Sequence, residues 1–140
     1  MIKITPQIDY DFALALSRSN MAAYYARHGL VWDDPCYARL WTDAENFGLY
    51  QAQRCVGLVR LKTFEEFCHL SDLQVIPEAQ GQGVGSYALD YMCQLAKVRG
   101  KQQIRLRVFI DNPVHEFYQR YGFRILEQQE VFYYMERALP

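Results

Sequence analysis

Gly81, Gly83 and Gly85 alternate with other residues between an apolar run, Leu73-Gln74-Val75-Ile76, and a segment whose apolar residues recur at helical spacing. That is a pattern for holding an anion. In the segment, Val84, Ala88, Tyr91, Met92 and Leu95 form one side, and Ser86, Asp90, Gln94 and Lys97 the other. The glycines therefore lie at a helix N-terminus, where the first N–H groups lack partners within the helix and carry the positive end of its dipole. Without Cβ atoms to hold it off, a pyrophosphate is the expected guest. The loop is not a P-loop, because Gly85 is followed by Ser86-Tyr87 rather than by Lys and Ser/Thr. Nor does it have the G-x-G-x-x-G spacing of a dinucleotide fold.

A second chemical signal lies between Met21 and Phe47, where Tyr24, Tyr25, Trp32, Tyr37 and Trp41 mingle with Asp33, Asp34, Asp43 and Glu45. Aromatic faces and carboxylates together suit a cationic amine, and Tyr24, Tyr25 and Trp32 are the candidate substrate contacts. The same composition also describes core rings and capping acids, so both readings stand.

At 140 residues the chain is long enough for one domain, residues 1–140, that buries roughly two-thirds of its unfolded surface. Fifteen basic against sixteen acidic residues, a net charge of −1 and no Lys/Arg run argue against a nucleic-acid partner. No apolar stretch approaches the roughly 18 residues of a membrane span. Cys36, Cys55, Cys68 and Cys93 share no metal-binding spacing, so no metal is expected. They read as free, mostly buried thiols of a cytoplasmic protein. The expected partner is a small molecule or peptide, with a homodimer left open.

Several elements must position these residues. Ile2 and Ile4 give a short strand, and Asp9 caps a helix with Phe12, Ala15 and Leu16 on its buried side, ending near Asn20. A second helix runs from Pro35 to about Thr42. Strands Leu49 to Gln53 and Cys55 to Phe64 make a hairpin, and Phe67 to Ile76 leads into the glycine loop. After the helix, stopped by Gly100, Ile104, Leu106, Val108 and Ile110 alternate with Gln103, Arg105, Arg107 and Phe109, a strand with one polar face. Asp111-Asn112-Pro113 opens a short helix with Val114, Phe117, Tyr118 and Tyr121 on one side, and two strands finish the chain. The expected fold is α/β (α+β): a mixed, mostly antiparallel central sheet of about seven strands with helices on both faces.

Three separated stretches carry a family resemblance. Gln80-x-x-Gly83-x-Gly85, preceded by Leu73-x-Val75-x-Pro77, resembles the acetyl-coenzyme-A loop of the GNAT N-acetyltransferase superfamily. Leu106 to Asn112 resembles that family's fifth strand, and Val114-His115-Glu116-Phe117-Tyr118 through Gly122-Phe123 resembles its A-H-x-F-Y-x-x-x-G-F segment. The resemblance covers Leu73 to Phe123 by motif and the N-terminal half by element order. It implies the GNAT fold, acetyl-coenzyme A as cosubstrate, and acetyl transfer to a primary amine of a small molecule or peptide in a ternary complex. A rival reading is a regulatory module that binds coenzyme A without catalysis.

Residue by residue, the resemblance implies that backbone N–H groups of Gln80, Gly81, Gln82, Gly83, Val84, Gly85 and Ser86 hold the pyrophosphate. Leu73, Gln74 and Val75 would offer a strand edge to the pantetheine arm and an N–H to the thioester carbonyl. Asn112 would bond the arm, and Tyr118 would protonate the departing thiolate, although its helical spacing alone makes it a core aromatic. Two departures qualify the match. The Asn112-to-Tyr118 interval is one residue short of the common N-x-x-A-x-x-x-Y spacing, so Asp111 is a rival for Asn112. Arg107 stands where some members carry a glutamate base, and arginine cannot serve as one. Asp72 and His69 on the fourth strand are the candidate bases, with ordinary strand roles as the alternative. His115 reads as structural.

Overall fold

The computed structural model describes residues 1–140. Seven strands, β1 (Ile2–Thr5), β2 (Glu45–Gln51), β3 (Arg54–Thr63), β4 (Phe67–Val75), β5 (Gln103–Phe109), β6 (Arg124–Gln129) and β7 (Phe132–Ala138), form one sheet in the order β1-β2-β3-β4-β5-β7-β6. Every pairing is antiparallel except β4 with β5. Four helices, α1 (Tyr10–Arg27), α2 (Asp34–Thr42), α3 (Val84–Val98) and α4 (Val114–Arg120), cover it. None is long and apolar enough to cross a membrane.

The glycine-loop helix buries Val84, Ala88, Leu89, Met92, Cys93 and Ala96. Its stripe is thus rotated from the expected one, since Tyr91 is exposed. These residues join Leu58, Leu61, Ile104 and Leu106 of the strands in one continuous core. Cys68 and Cys93 are buried, but Cys36 and Cys55 are only partly so.

Helix α1 is longer than the expected end at Asn20. Nothing breaks it before Gly29, whose φ of +66° suits the residue after a helix end. The roughly two added turns have a purpose in packing. Tyr24 and Tyr25 both lie 5.7 Å from the Phe109 ring, Tyr24 stacked and Tyr25 edge-on, and His28 stacks on it at 5.2 Å. Phe109, expected on a polar strand face, is buried under α1.

Two irregularities shape β4. Its pairing with β3 shifts between Arg60 and Leu61, so Asp72 faces Arg60 and Leu70 faces Leu61, leaving Ser71 as the extra residue of a β-bulge. Its parallel pairing with β5 runs only from Phe67 to His69, although both strands continue. Beyond that point they part.

Gly57 holds β3 tightly against the far end of β4. A Cβ there would fall onto the Gln74 carbonyl and lie 3.2 Å from Val75 Cα. Gly57→Ala should therefore cost about 1–3 kcal/mol, seen as a melting temperature lowered by several degrees. An unchanged melting temperature would show that the strands tolerate separation.

Candidate functional site

The parting of β4 and β5 opens a cavity of about 840 Å³. One end is made by the glycine loop. Gly81 and Gly83 have φ values of +75° and +85°, in the left-handed region that penalises any Cβ. Gly83 is the residue before α3, and no side chain caps that helix. Its first N–H groups are left to whatever enters the cavity.

Several glycine-loop side chains hold the loop itself. Gln80 donates from Nε2 to the Val75 carbonyl at 3.0 Å, an oxygen that also accepts from Asn20 Nδ2 at 3.2 Å. Gln82 donates to the Glu78 carbonyl at 3.0 Å. Val84 packs in the core, so the helix start is anchored from beneath.

The middle of the cavity is a polar network strung between α1, α2 and the sheet. Tyr37 donates its hydroxyl to Ser17 Oγ at 3.1 Å, and Ser17 donates to Asp72 Oδ2, also at 3.1 Å. Gln74 Nε2 donates to Asp72 Oδ1 at 2.8 Å and Asn20 Nδ2 to Gln74 Oε1 at 3.1 Å. Burial pushes the Asp72 carboxyl upward, opposed by Gln74, by Arg60 with Nη1 at 3.9 Å, and by Ser17. A carboxylate so placed is a stronger base than one in water.

Tyr118 lines the same cavity from α4. Its ring is 5% exposed and its hydroxyl has no hydrogen-bond partner, yet it is not an enclosed orphan, because the single such side-chain atom in the fold is Arg60 Nη2. The hydroxyl therefore opens on the cavity. Burial, and secondarily the charge of Asp72, raise its pKa well above the usual phenol value.

Asn112 and Asp111 divide their work. Asn112 lines the cavity and its Oδ1 accepts from Val114 N at 3.0 Å, which leaves its amide nitrogen as a free donor. Asp111 turns outward to accept from Arg27 Nε at 2.7 Å and His28 Nε2 at 2.8 Å. These bonds, His28 first, hold its carboxyl down at about 2.

Tyr24, Tyr25 and Trp32 line the far end with Tyr37, Arg107 and Phe132. The neighbouring acids do not. Asp33 accepts from Cys36 N at the start of α2, Asp43 pairs with Lys62, and Glu45 pairs with Arg99. Asp34 accepts from Trp32 Nε1 and Arg18. Of the acids, only Asp34 keeps company with the candidate rings, through Trp32; Asp33 serves as a cap, and Asp43 and Glu45 form surface ion pairs.

His69 is not part of the cavity wall. It bonds Ser71 Oγ at 3.3 Å, and burial, then Arg107 and Lys62, favour its neutral form. His115 bonds the Asn112 carbonyl at 2.8 Å and packs on Tyr133. No cluster of His, Cys, Asp or Glu comes together as a metal site would require. The sequence reading missed Ser17, Asn20 and Arg60. A serine on the buried face of α1 and an arginine inside the apolar run of β3 were the available signals.

The fold agrees with that of known proteins. The sequence profile of the acetyltransferase (GNAT) family matches residues 14–123, so the chain belongs to that family. No curated protein sequence matches it. Solved structures share the fold nearly end to end. The PaiA N-acetyltransferase of Thermoplasma acidophilum, in complex with coenzyme A, is 20% identical with a TM-score of 0.81, covering 99% of both chains. A GNAT family acetyltransferase from Elizabethkingia anophelis with acetyl-CoA bound is 18% identical with a TM-score of 0.77, covering 99% of this chain and 98% of its own. The ribosomal-protein-S18-alanine N-acetyltransferase of Escherichia coli is 20% identical with a TM-score of 0.76, covering 99% and 94%.

The Asp111 contacts tie α1 to the β5–α4 turn that carries Asn112, and they have a pH signature. A carboxyl held below its usual value of about 3.9 adds stability that is complete above that value and is lost as pH falls toward 2. Asp111→Asn should flatten the fall in melting temperature across that window. An identical acid slope in wild type and variant would show that the contacts contribute nothing.

Proposed function

We propose that this chain is an N-acetyltransferase moving an acetyl group from acetyl-coenzyme A to a primary amine of a small molecule or peptide by direct attack. One observation carries the reading: β4, freed from β5 beyond His69, opens beside the uncapped start of α3, with the Tyr118 hydroxyl unpaired in the same cavity. The residues fit the cosubstrate. Positive-φ glycines and bare N–H groups suit a pyrophosphate, and an unpaired strand edge suits an amide-bearing arm.

When bound, acetyl-coenzyme A supplies an activated acetyl thioester. Backbone N–H groups from Gly81 to Ser86 would hold the pyrophosphate; that of Gln80 is already given to the Pro77 carbonyl at 3.3 Å. Leu73, Gln74 and Val75 present backbone groups to the pantetheine arm and an N–H to the carbonyl oxygen as it gains charge. Asn112, with its amide nitrogen free, bonds the arm; Asp111 is committed to α1.

The neutral amine nitrogen attacks the carbonyl carbon, a C–N bond forms, and the C–S bond breaks with its electron pair on sulfur. Asp72 accepts the proton the nitrogen must lose, a task favoured by its raised pKa. Tyr118, kept protonated by burial, donates to the thiolate. Solvent then takes the proton from Asp72 and supplies one to Tyr118, which resets the site. His69, outside the cavity wall, is the weaker candidate base.

Thiol release from acetyl-coenzyme A across a panel of primary amines tests the proposal. Turnover supports the enzyme. Coenzyme A binding without turnover would favour the regulatory module, the reading suggested by Arg107 in place of a strand-five carboxylate. Neither binding nor turnover would reduce the glycines to a turn.

Two variants separate parts of the site. Gly83→Val puts a branched side chain at a φ of +85° and at the pyrophosphate position. Backbone strain of about 1–2 kcal/mol should lower the melting temperature by a few degrees, while coenzyme A affinity in calorimetry falls far more. Normal affinity would contradict the cradle. Tyr118→Phe keeps the ring and deletes a hydroxyl that bonds nothing in the protein. The melting temperature and coenzyme A affinity should barely move while kcat falls at least about tenfold. Unchanged turnover would remove Tyr118 from catalysis.

A further inference from the structure

The acceptor end of the cavity carries more positive than negative charge. Its one carboxylate, Asp72, is hydrogen-bonded by Ser17 and Gln74 and pairs with Arg60 Nη1 at 3.9 Å. Against it stand two guanidinium groups. Arg60, 3% exposed and flanked by the Tyr37 and Trp41 rings, donates from Nε to Asn46 Oδ1 at 3.1 Å, yet its Nη2 is buried with no partner. Arg107 is exposed on the cavity wall, 4.0 Å over the Phe132 ring, and enters no ion pair or hydrogen bond of the fold. Its charge favours the ionised form of Tyr25 on the cavity wall, against burial, and the neutral form of His69 outside it.

With Arg60 paired to Asp72, the charge left unmatched on the cavity wall is that of Arg107, while the buried Arg60 Nη2 is a donor without an acceptor. Guanidinium offers parallel N–H donors that fit a carboxylate in two-point contact. A polyamine, by contrast, would set its second ammonium against Arg107 with no acid to receive it. Aromatic rings of Tyr24, Tyr25 and Trp32 leave room on the same wall for an apolar body.

Resting on the acetyl-transfer reading above, we propose that the acceptor is an amino acid: an amine that also bears a carboxylate, docked by the unpaired guanidinium of Arg107. Asp72 faces the amine and Arg107 the carboxylate. The substrate's own dipole is thereby aligned with its nitrogen toward the β4 edge.

Thiol release is measured with the common free amino acids, each matched with its decarboxylated amine and its amide, alongside spermidine and acidic tripeptides, for wild type and Arg107→Gln. Free amino acids should exceed their matched amines and amides in kcat/KM by at least about tenfold, as expected for a charge-assisted contact. Arg107→Gln should erase that preference by raising KM, leaving coenzyme A affinity in calorimetry unchanged. If acidic tripeptides outpace every free amino acid, the carboxylate belongs to a peptide and the amino-acid assignment is overturned. Equal or better turnover of amines lacking a carboxylate, or a preference that survives Arg107→Gln, would overturn it while the acetyl-transfer reading stands. Coenzyme A binding with no thiol release from any amine would overturn both.

Discussion

The structure depends on one strand that cannot satisfy both neighbours. β4 pairs with β3 along most of its length but with β5 only from Phe67 to His69, and the bulge at Ser71 lies just past the point where the second pairing ends. A buried strand edge with unmade hydrogen bonds is costly unless something pairs with it. Here the unpaired edge faces a cavity rather than the core. The parting also brings together groups from elements that a closed sheet would separate: Asp72, hydrogen-bonded to α1, and Tyr118, carried by α4, line one space.

The rest of the fold keeps that gap open at a fixed width. On one side Gly57 lets β3 approach the end of β4 so closely that no side chain fits between. On the other, α1 is fastened to the end of β5 by the rings of Tyr24, Tyr25 and His28 around Phe109 and by the two bonds to Asp111. Ser17 and Asn20, on the same helix, reach Asp72, Gln74 and the Val75 carbonyl. A single helix thus sets the positions of both strands that flank the opening. The glycine loop needs less support, because Val84 and Ala88 anchor its helix directly in the core.

What could be read from the sequence was local. The glycine loop, the helix behind it and the order of the elements follow from short-range rules: glycine where φ is positive, apolar residues at period 3.6 or 2, and Pro or Gly at element ends. Errors arose where a distant contact decides. Periodicity could not tell that Phe109 would be covered by an α1 longer than expected, or that Tyr91 would face solvent. Asp43 and Glu45 looked like companions of the nearby aromatic residues, but their partners Lys62 and Arg99 lie elsewhere in the chain. The bulge at Ser71 had no signature at all in residue type. Arg60 was visible as a charge in an apolar strand, and only the fold connects it to Asp72 and the cavity.

Amide hydrogen exchange with and without coenzyme A tests the central claim most directly, because the cradle and the strand edge are both made of backbone N–H groups. The account predicts that the coenzyme slows exchange in two separate stretches, the end of β4 around Leu73 to Val75 and the turn from Gly81 to Ser86, with the outer strands β1 and β6 unaffected. Protection absent from both stretches at saturating coenzyme A, or confined to a surface away from the gap between β4 and β5, would contradict it.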